Sequence, residues 1–210
     1  MKGKFITLEG CEGVGKSYQL QQLKQYFIKN DIDFIFTREP GGVPIAESIR
    51  DIILSKNNSE MNFECEALLY AAARVQHVKQ LILPALESGK IVVCDRYIHS
   101  SLAYQGYARG LGVDYVKQIN SWIVENAMPD LTLFLNLDPV SAFKRKGGVD
   151  SGDRVELSGL DFHKRVYEGY VQLAKQEPNR IVSIDASGVR EQTHARIIQA
   201  LKANGIIGDK

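Results

Sequence analysis

The sequence has almost no net charge. Its 26 Lys and Arg face 25 Asp and Glu across 210 residues, a formal balance of +1. No overall basic field draws the chain to nucleic acid or to an anionic membrane, so neither is expected as a partner. Any anion site has to be built locally. Cysteine is scarce as well. Cys11, Cys65 and Cys94 are odd in number, widely spaced and free of any CxxC. That suggests neither a disulfide framework nor a zinc site, and a reducing, cytoplasmic setting is the expectation. No apolar run reaches membrane-spanning length, and Met1–Lys4 leads into a short apolar run containing a Glu rather than into a secretory leader. There is no internal repeat, low-complexity tract or linker. His77, His99, His163 and His194 lack both metal-ligand and triad spacing. With 44% apolar and 24% charged residues, residues 1–210 fit one globular domain with one core.

What the sequence does have is alternation. Short apolar runs at Phe5–Leu8, Asp33–Thr37, Ile91–Cys94, Leu131–Leu137 and Ile181–Ile184 read as buried strands. Between them, helical spacing predicts helices over Ser17–Asn30, Pro44–Leu54, Glu64–Glu87, Val113–Asn126, Asp161–Gln176 and Arg190–Ala203. Pro84 is expected to kink or shorten the third of these. This order predicts an α/β fold, a five-stranded parallel sheet flanked by helices on both faces. Ligands of such sheets bind beyond the carboxyl ends of the strands, where the informative turns of this chain fall.

Gly10-Cys11-Glu12-Gly13-Val14-Gly15-Lys16-Ser17 matches GxxxxGK[ST] and lies between a strand and a helix, the context the motif requires. A chain this long spells the pattern by chance only about once in a hundred. Gly10, Gly13 and Gly15 allow successive N–H groups to converge on one point, with Glu12 and Val14 between them. The new helix adds its positive end. Lys16 reaches the β- and γ-phosphates, and the Ser17 hydroxyl is a Mg²⁺ ligand. ATP is the expected phosphate donor.

The cradle alone fits a kinase, a GTPase switch, an ATP-driven motor or a sulfotransferase-like enzyme. No NKxD follows a late strand, and Asp185-Ala186-Ser187-Gly188 comes too late for a switch DxxG. Cys94-Asp95 nearly makes a motor's strand-end acid, but Arg96 follows at once. An enzyme that phosphorylates a nucleotide must hold two anions together, and arginine grips phosphate in a bidentate fork. Arg38 and Arg96 follow strand ends, and Arg74 lies in the long helix.

The P-loop, Thr37-Arg38-Glu39-Pro40-Gly41-Gly42, Tyr70-Ala71-Ala72-Ala73-Arg74-Val75-Gln76, and Asp95-Arg96-Tyr97 with Ser100-Ser101-Leu102-Ala103-Tyr104-Gln105-Gly106 occur in one order. Together they resemble the thymidylate kinase family from Lys4 to about Ile198. The resemblance implies a P-loop nucleoside monophosphate kinase fold and transfer of the ATP γ-phosphate to dTMP, in dTTP synthesis. It implies that Glu12 accepts from the dTMP 3′-hydroxyl and that Arg38 and Arg96 bind the dTMP phosphate. It further implies that Asp95 holds Mg²⁺ through water, that Tyr70 stacks on thymine, and that Arg74 and Gln105 bond the base at O4 and N3. Ser101 and Tyr104 are placed in the dTMP site, and a homodimer through helices such as Glu64–Glu87 is expected.

The P-loop interior carries no arginine, and the resemblance then implies the family type whose catalytic cation sits in a lid, here at about Gly147–Gly159. Arg154 is the first choice, with Arg145, also assigned to ATP, and Lys146 as rivals. A kinase for another nucleotide and a nucleotide-gated switch remain the alternatives.

Overall fold

A computed structural model describes residues 3–146 and 152–208. Five strands form one sheet: β1 (Phe5–Glu9), β2 (Phe34–Arg38), β3 (Ile91–Asp95), β4 (Leu131–Asn136) and β5 (Ile181–Asp185). Every neighbouring pair is parallel, in the order β2-β3-β1-β4-β5. The central strands β1, β3 and β4 are largely apolar on both faces because helices cover both, while the edge strands β2 and β5 are only partly buried. Phe5, Ile6, Leu8, Val92, Val93, Leu133 and Leu135 are all essentially buried. Register brings the functional ends together: Asp95 pairs with Leu8 on one side and with Arg38 on the other.

The helices are α1 (Lys16–Lys29), α2 (Pro44–Leu54), α3 (Phe63–His77), α4 (Leu83–Glu87), α5 (Ile98–Ser101), α6 (Val113–Ile119), α7 (Ser121–Asn126), α8 (Pro139–Lys146), α9 (Leu160–Gln176) and α10 (Arg190–Ala203). The expected helix over Glu64–Glu87 is broken into α3 and α4 by a π-helical turn at Val78–Ile82. There the Leu83 N–H reaches back five residues to the Val78 carbonyl. The extra residue places Pro84 in the first turn of α4, where a missing N–H costs nothing. The expected helix over Val113–Asn126 divides at Asn120. The Asn120 amide turns back to the Val116 carbonyl at 2.9 Å and takes a bond from Arg74, leaving its backbone off the helical path.

Several short elements among the described residues escaped the periodicity, α5 among them. A second π-helical turn spans Leu102–Ala108, and α8 occupies residues read as charged connection. Asp138 caps α8, accepting from Ser141 N at 2.9 Å, and Pro139 takes the first helical position. No helix among the described residues is long and apolar enough to cross a membrane.

Candidate active site

A cleft of about 500 Å³ opens at the carboxyl ends of β1, β2 and β3. Every site residue predicted from the sequence lines it except Gly10 and Arg154.

The phosphate cradle joins β1 to α1. Gly10, Gly13 and Gly15 have φ of 142°, 79° and 98°, conformations that L side chains rarely adopt. A Cβ on Gly10 would also meet the Leu135 carbonyl at 3.0 Å. Lys16 is nearly buried and folds back over the loop, donating to the carbonyls of Gly10 and Cys11 at 3.1 Å each. Burial first, then the charge of Arg96, lowers its pKa below the ordinary lysine value. A proximal anion reverses both effects. Ser17 is the second residue of α1 and lines the cleft.

Arg96 follows β3 in the left-handed backbone region, with φ of 66°. That turn sends its side chain back under the cradle. Nη2 pairs with Glu12, Nη1 donates to the Gly10 carbonyl at 3.0 Å, and the guanidinium lies 5.2 Å from the Tyr104 ring centroid. Burial works against this charge, but Tyr104 and Glu12 outweigh it and raise the guanidinium well above its ordinary range. The Tyr104 hydroxyl is buried and has no hydrogen-bond partner among the described residues.

Arg38, at the end of β2, is half exposed and paired with Glu47 of α2 at 2.9 Å. The Gly42 amide also donates to Glu47, at 2.7 Å. Burial alone would raise the Glu47 carboxyl; the Gly42 bond and Arg38 together hold it below the usual carboxylate range.

Tyr70 and Arg74 project from one face of α3, one turn apart. Arg74 is almost wholly consumed by the protein. Nε donates to Glu39 at 2.7 Å, Nη1 to Asn120 at 2.8 Å, and Nη2 to Ser101 Oγ at 2.9 Å and the Tyr97 carbonyl at 3.2 Å. Four of its five donors are thus committed. Gln105 sits in the second π-helical turn, buried at the cleft wall.

The two lid-side arginines lie apart. Arg145 of α8 donates to the carbonyls of Ala186 and Ser187, at 2.9 and 2.8 Å, fixing the loop after β5. Arg154 sits at the carboxyl end of α2, donating to the Ile53 carbonyl at 2.8 Å and to Glu66 at 2.5 Å. Residues 147–151 of the expected lid and the Lys146 side chain lie outside the described residues.

The fit to Mg²⁺ rests on Asp95 and Ser17. Asp95 Oδ1 is buried in the cleft with no hydrogen-bond partner among the described residues, and Ser17 lines the same cleft. A cation shared with two phosphates needs only one or two protein oxygens.

The chain matches the family model described as Thymidylate kinase over residues 8–197. It belongs to the thymidylate kinase family. It is 48% identical to a thymidylate kinase of Finegoldia magna over 203 residues, covering 97% of this chain and 100% of that one. It is 50% identical to a thymidylate kinase of Clostridium novyi over 188 residues, covering 89% and 92%. For a thymidylate kinase of Bacillus velezensis the identity is 49% over 193 residues, covering 91% of each. As a thymidylate kinase family member the chain is a P-loop nucleoside monophosphate kinase, a phosphotransferase with the expected α/β fold.

Sequence reasoning missed the residues that hold this thymidylate kinase site in place. Glu9 is fully buried and accepts from Tyr97 N at 2.8 Å, Ser100 Oγ at 2.6 Å and the Tyr170 hydroxyl at 2.7 Å. Its signal was a carboxylate ending an apolar strand. Glu39 bridges Arg74 and His77, and His77 bonds Thr37 at 2.7 Å. Arg50 lines the cleft and donates to the Pro40 carbonyl at 2.8 Å; no spacing distinguished it from a surface arginine.

Proposed function

We infer that the chain is a dTMP kinase, transferring the γ-phosphate of ATP to dTMP to give dTDP and ADP. The observation that carries this is one cavity with two anion subsites: the cradle of Lys16 on one wall, Arg38 and Arg96 on the next, with Tyr70, Arg74 and Gln105 beyond them. Family membership supports the same reading.

Transfer is in line and without a covalent enzyme intermediate, so positioning and charge neutralisation supply the catalysis. We assign Lys16 to the donor phosphates, reached when it leaves the Gly10 and Cys11 carbonyls. Arg96, held rigid by Glu12 and the Gly10 carbonyl, grips the acceptor phosphate, and Arg38 swings from Glu47 to join it. Glu12 is assigned to the acceptor 3′-hydroxyl as well. Tyr70 stacks on the base, and the remaining Arg74 donor serves O4. Ser101 fixes the Arg74 fork, and Tyr104 supports Arg96 from below. Ser17 and Asp95 would hold Mg²⁺, which when bound neutralises the β- and γ-oxygens. Arg145 orders the loop beside the ATP site. Arg154 remains our choice for the lid cation, acting only after it releases Glu66, with Arg145 and Lys146 as the rivals.

We further propose one kinase domain over the whole chain and a cytoplasmic setting, consistent with three free cysteines. The same reading includes a homodimer through α3, where Phe63 and Leu68 are 43% and 52% exposed.

The deciding assay is ADP release from ATP and Mg²⁺ with dTMP, dUMP, dGMP, AMP, thymidine or no acceptor. Strong stimulation by dTMP, weaker by dUMP and negligible by the rest is the expected result. ADP release indifferent to dTMP would overturn the assignment and favour a nucleotide-gated switch.

A further inference from the structure

Glu66 lies on α3 one turn before Tyr70, and none of its side chain is exposed. Four donors surround it. Oε1 accepts from Gln105 Nε2 at 2.9 Å and Arg109 Nε at 3.3 Å. Oε2 accepts from Arg109 Nη2 at 3.3 Å and Arg154 Nη2 at 2.5 Å. A carboxylate ringed by guanidinium donors offers only acceptor oxygens. Gln105 must therefore turn its NH₂ toward Glu66, which leaves its carbonyl oxygen as the end of the amide available to the cleft it lines.

This settles a choice that glutamine alone leaves open. An isolated amide flips at little cost and can meet a donor or an acceptor equally well. Thymine and uracil donate at N3 and accept at O4; cytosine accepts at N3 and donates from its amino group. Arg74 can only donate, so it suits O4 and never the cytosine amino group. Gln105 could adapt to cytosine N3 by flipping, and Glu66 is what prevents it.

We propose that Glu66 is a positioning residue that locks the Gln105 amide with its oxygen toward the acceptor base, committing the subsite to pyrimidines that donate at N3 and excluding cytosine. The proposal rests on the dTMP kinase reading above.

The test compares kcat/KM for dTMP and dCMP in the unaltered protein, Glu66→Gln and Arg109→Lys. A glutamine at position 66 both donates and accepts, so it holds Gln105 in either sense. In Glu66→Gln the dTMP to dCMP ratio is expected to fall about tenfold, the scale of one hydrogen bond. A higher KM for dTMP and new activity on dCMP carry the change; loosening Arg154, which Glu66 also holds, affects both acceptors alike and cancels in the ratio. Arg109→Lys disturbs the same cluster and leaves Glu66 in place, so it keeps the ratio. A ratio unmoved in Glu66→Gln, or moved equally in both variants, overturns the inference. Should Glu66→Gln fail to fold, the unaltered protein decides through hydrogen exchange of the Gln105 side-chain amide, read by NMR without nucleotide. NH₂ protons held by Glu66 exchange many-fold more slowly than those of exposed glutamines; fast exchange overturns the proposal. If the unaltered chain phosphorylates neither monophosphate, the kinase reading has failed instead.

Discussion

Arg74 and Glu39 form an ion pair of 2.7 Å in which both side chains are almost fully buried, 1% and 3% exposed. The pair joins α3 to the turn after β2, so on the proposed assignment it sets the distance between the base and phosphate subsites. Removing one partner strands the other charge away from water. Glu39→Ala is therefore expected to cost about 3–5 kcal/mol of stability, and Glu39→Gln less. Denaturant unfolding measures both. A loss under about 1 kcal/mol for Glu39→Ala would show that water or another group already compensates Arg74.

Lys16 presents the opposite balance. Its charge is disfavoured by burial and by Arg96, so on the proposed assignment it serves the ligand rather than the fold. Lys16→Ala should leave the melting temperature nearly unchanged and lower kcat by about 10²–10³, the scale of one lost electrostatic contact to the transition state. Asp95→Asn should raise the Mg²⁺ concentration needed for half-maximal rate. Circular dichroism with the coupled ADP assay separates the effects. Near-native turnover in Lys16→Ala would remove Lys16 from the mechanism.

Two of the three thiols are sealed. Burial pushes Cys11 up to about 12 from 9.0 and Cys94 well above that ordinary value, while Cys65 is exposed. A thiol reagent near neutral pH should modify Cys65 in the folded protein and all three thiols only after unfolding. Proximity of Cys11 to the cradle amides suggests alkylation sensitivity; its burial argues against it. The sign of the pH effect follows. The unfolded chain ionises these thiols from about 9 upward and the folded one does not, so their contribution is whole below pH 9 and lost as pH climbs toward 12. Melting temperature should fall across that window. Rapid labelling of Cys11 in the native protein, read by peptide mass spectrometry, would contradict the sealed site.

Much of this was legible in the sequence because it is local. The glycines of the cradle, the strand-end positions of Arg38 and Arg96, and the one-turn spacing of Tyr70 and Arg74 are set within a few residues of themselves. The two π-helical turns were not legible, because one added residue scarcely disturbs a period read over a helix. Nor were the carboxylates Glu9, Glu39 and Glu66. Each is defined by partners far along the chain, as when Arg154 reaches Glu66 across 88 positions. A buried acid looks like a surface acid until the elements around it are placed.

The bond from Tyr170 to Glu9 spans 161 positions, and β1 itself pairs with β3 and β4. This fixes an order of completion during synthesis. The phosphate-binding residues emerge from the ribosome first, yet the strands that flank them and the phenol that clamps their floor are still to come. A nascent chain that stops before α9 carries the whole P-loop sequence and the Tyr97 and Ser100 donors to Glu9, but not the Tyr170 hydroxyl. The segment made earliest is the one whose surroundings are finished last.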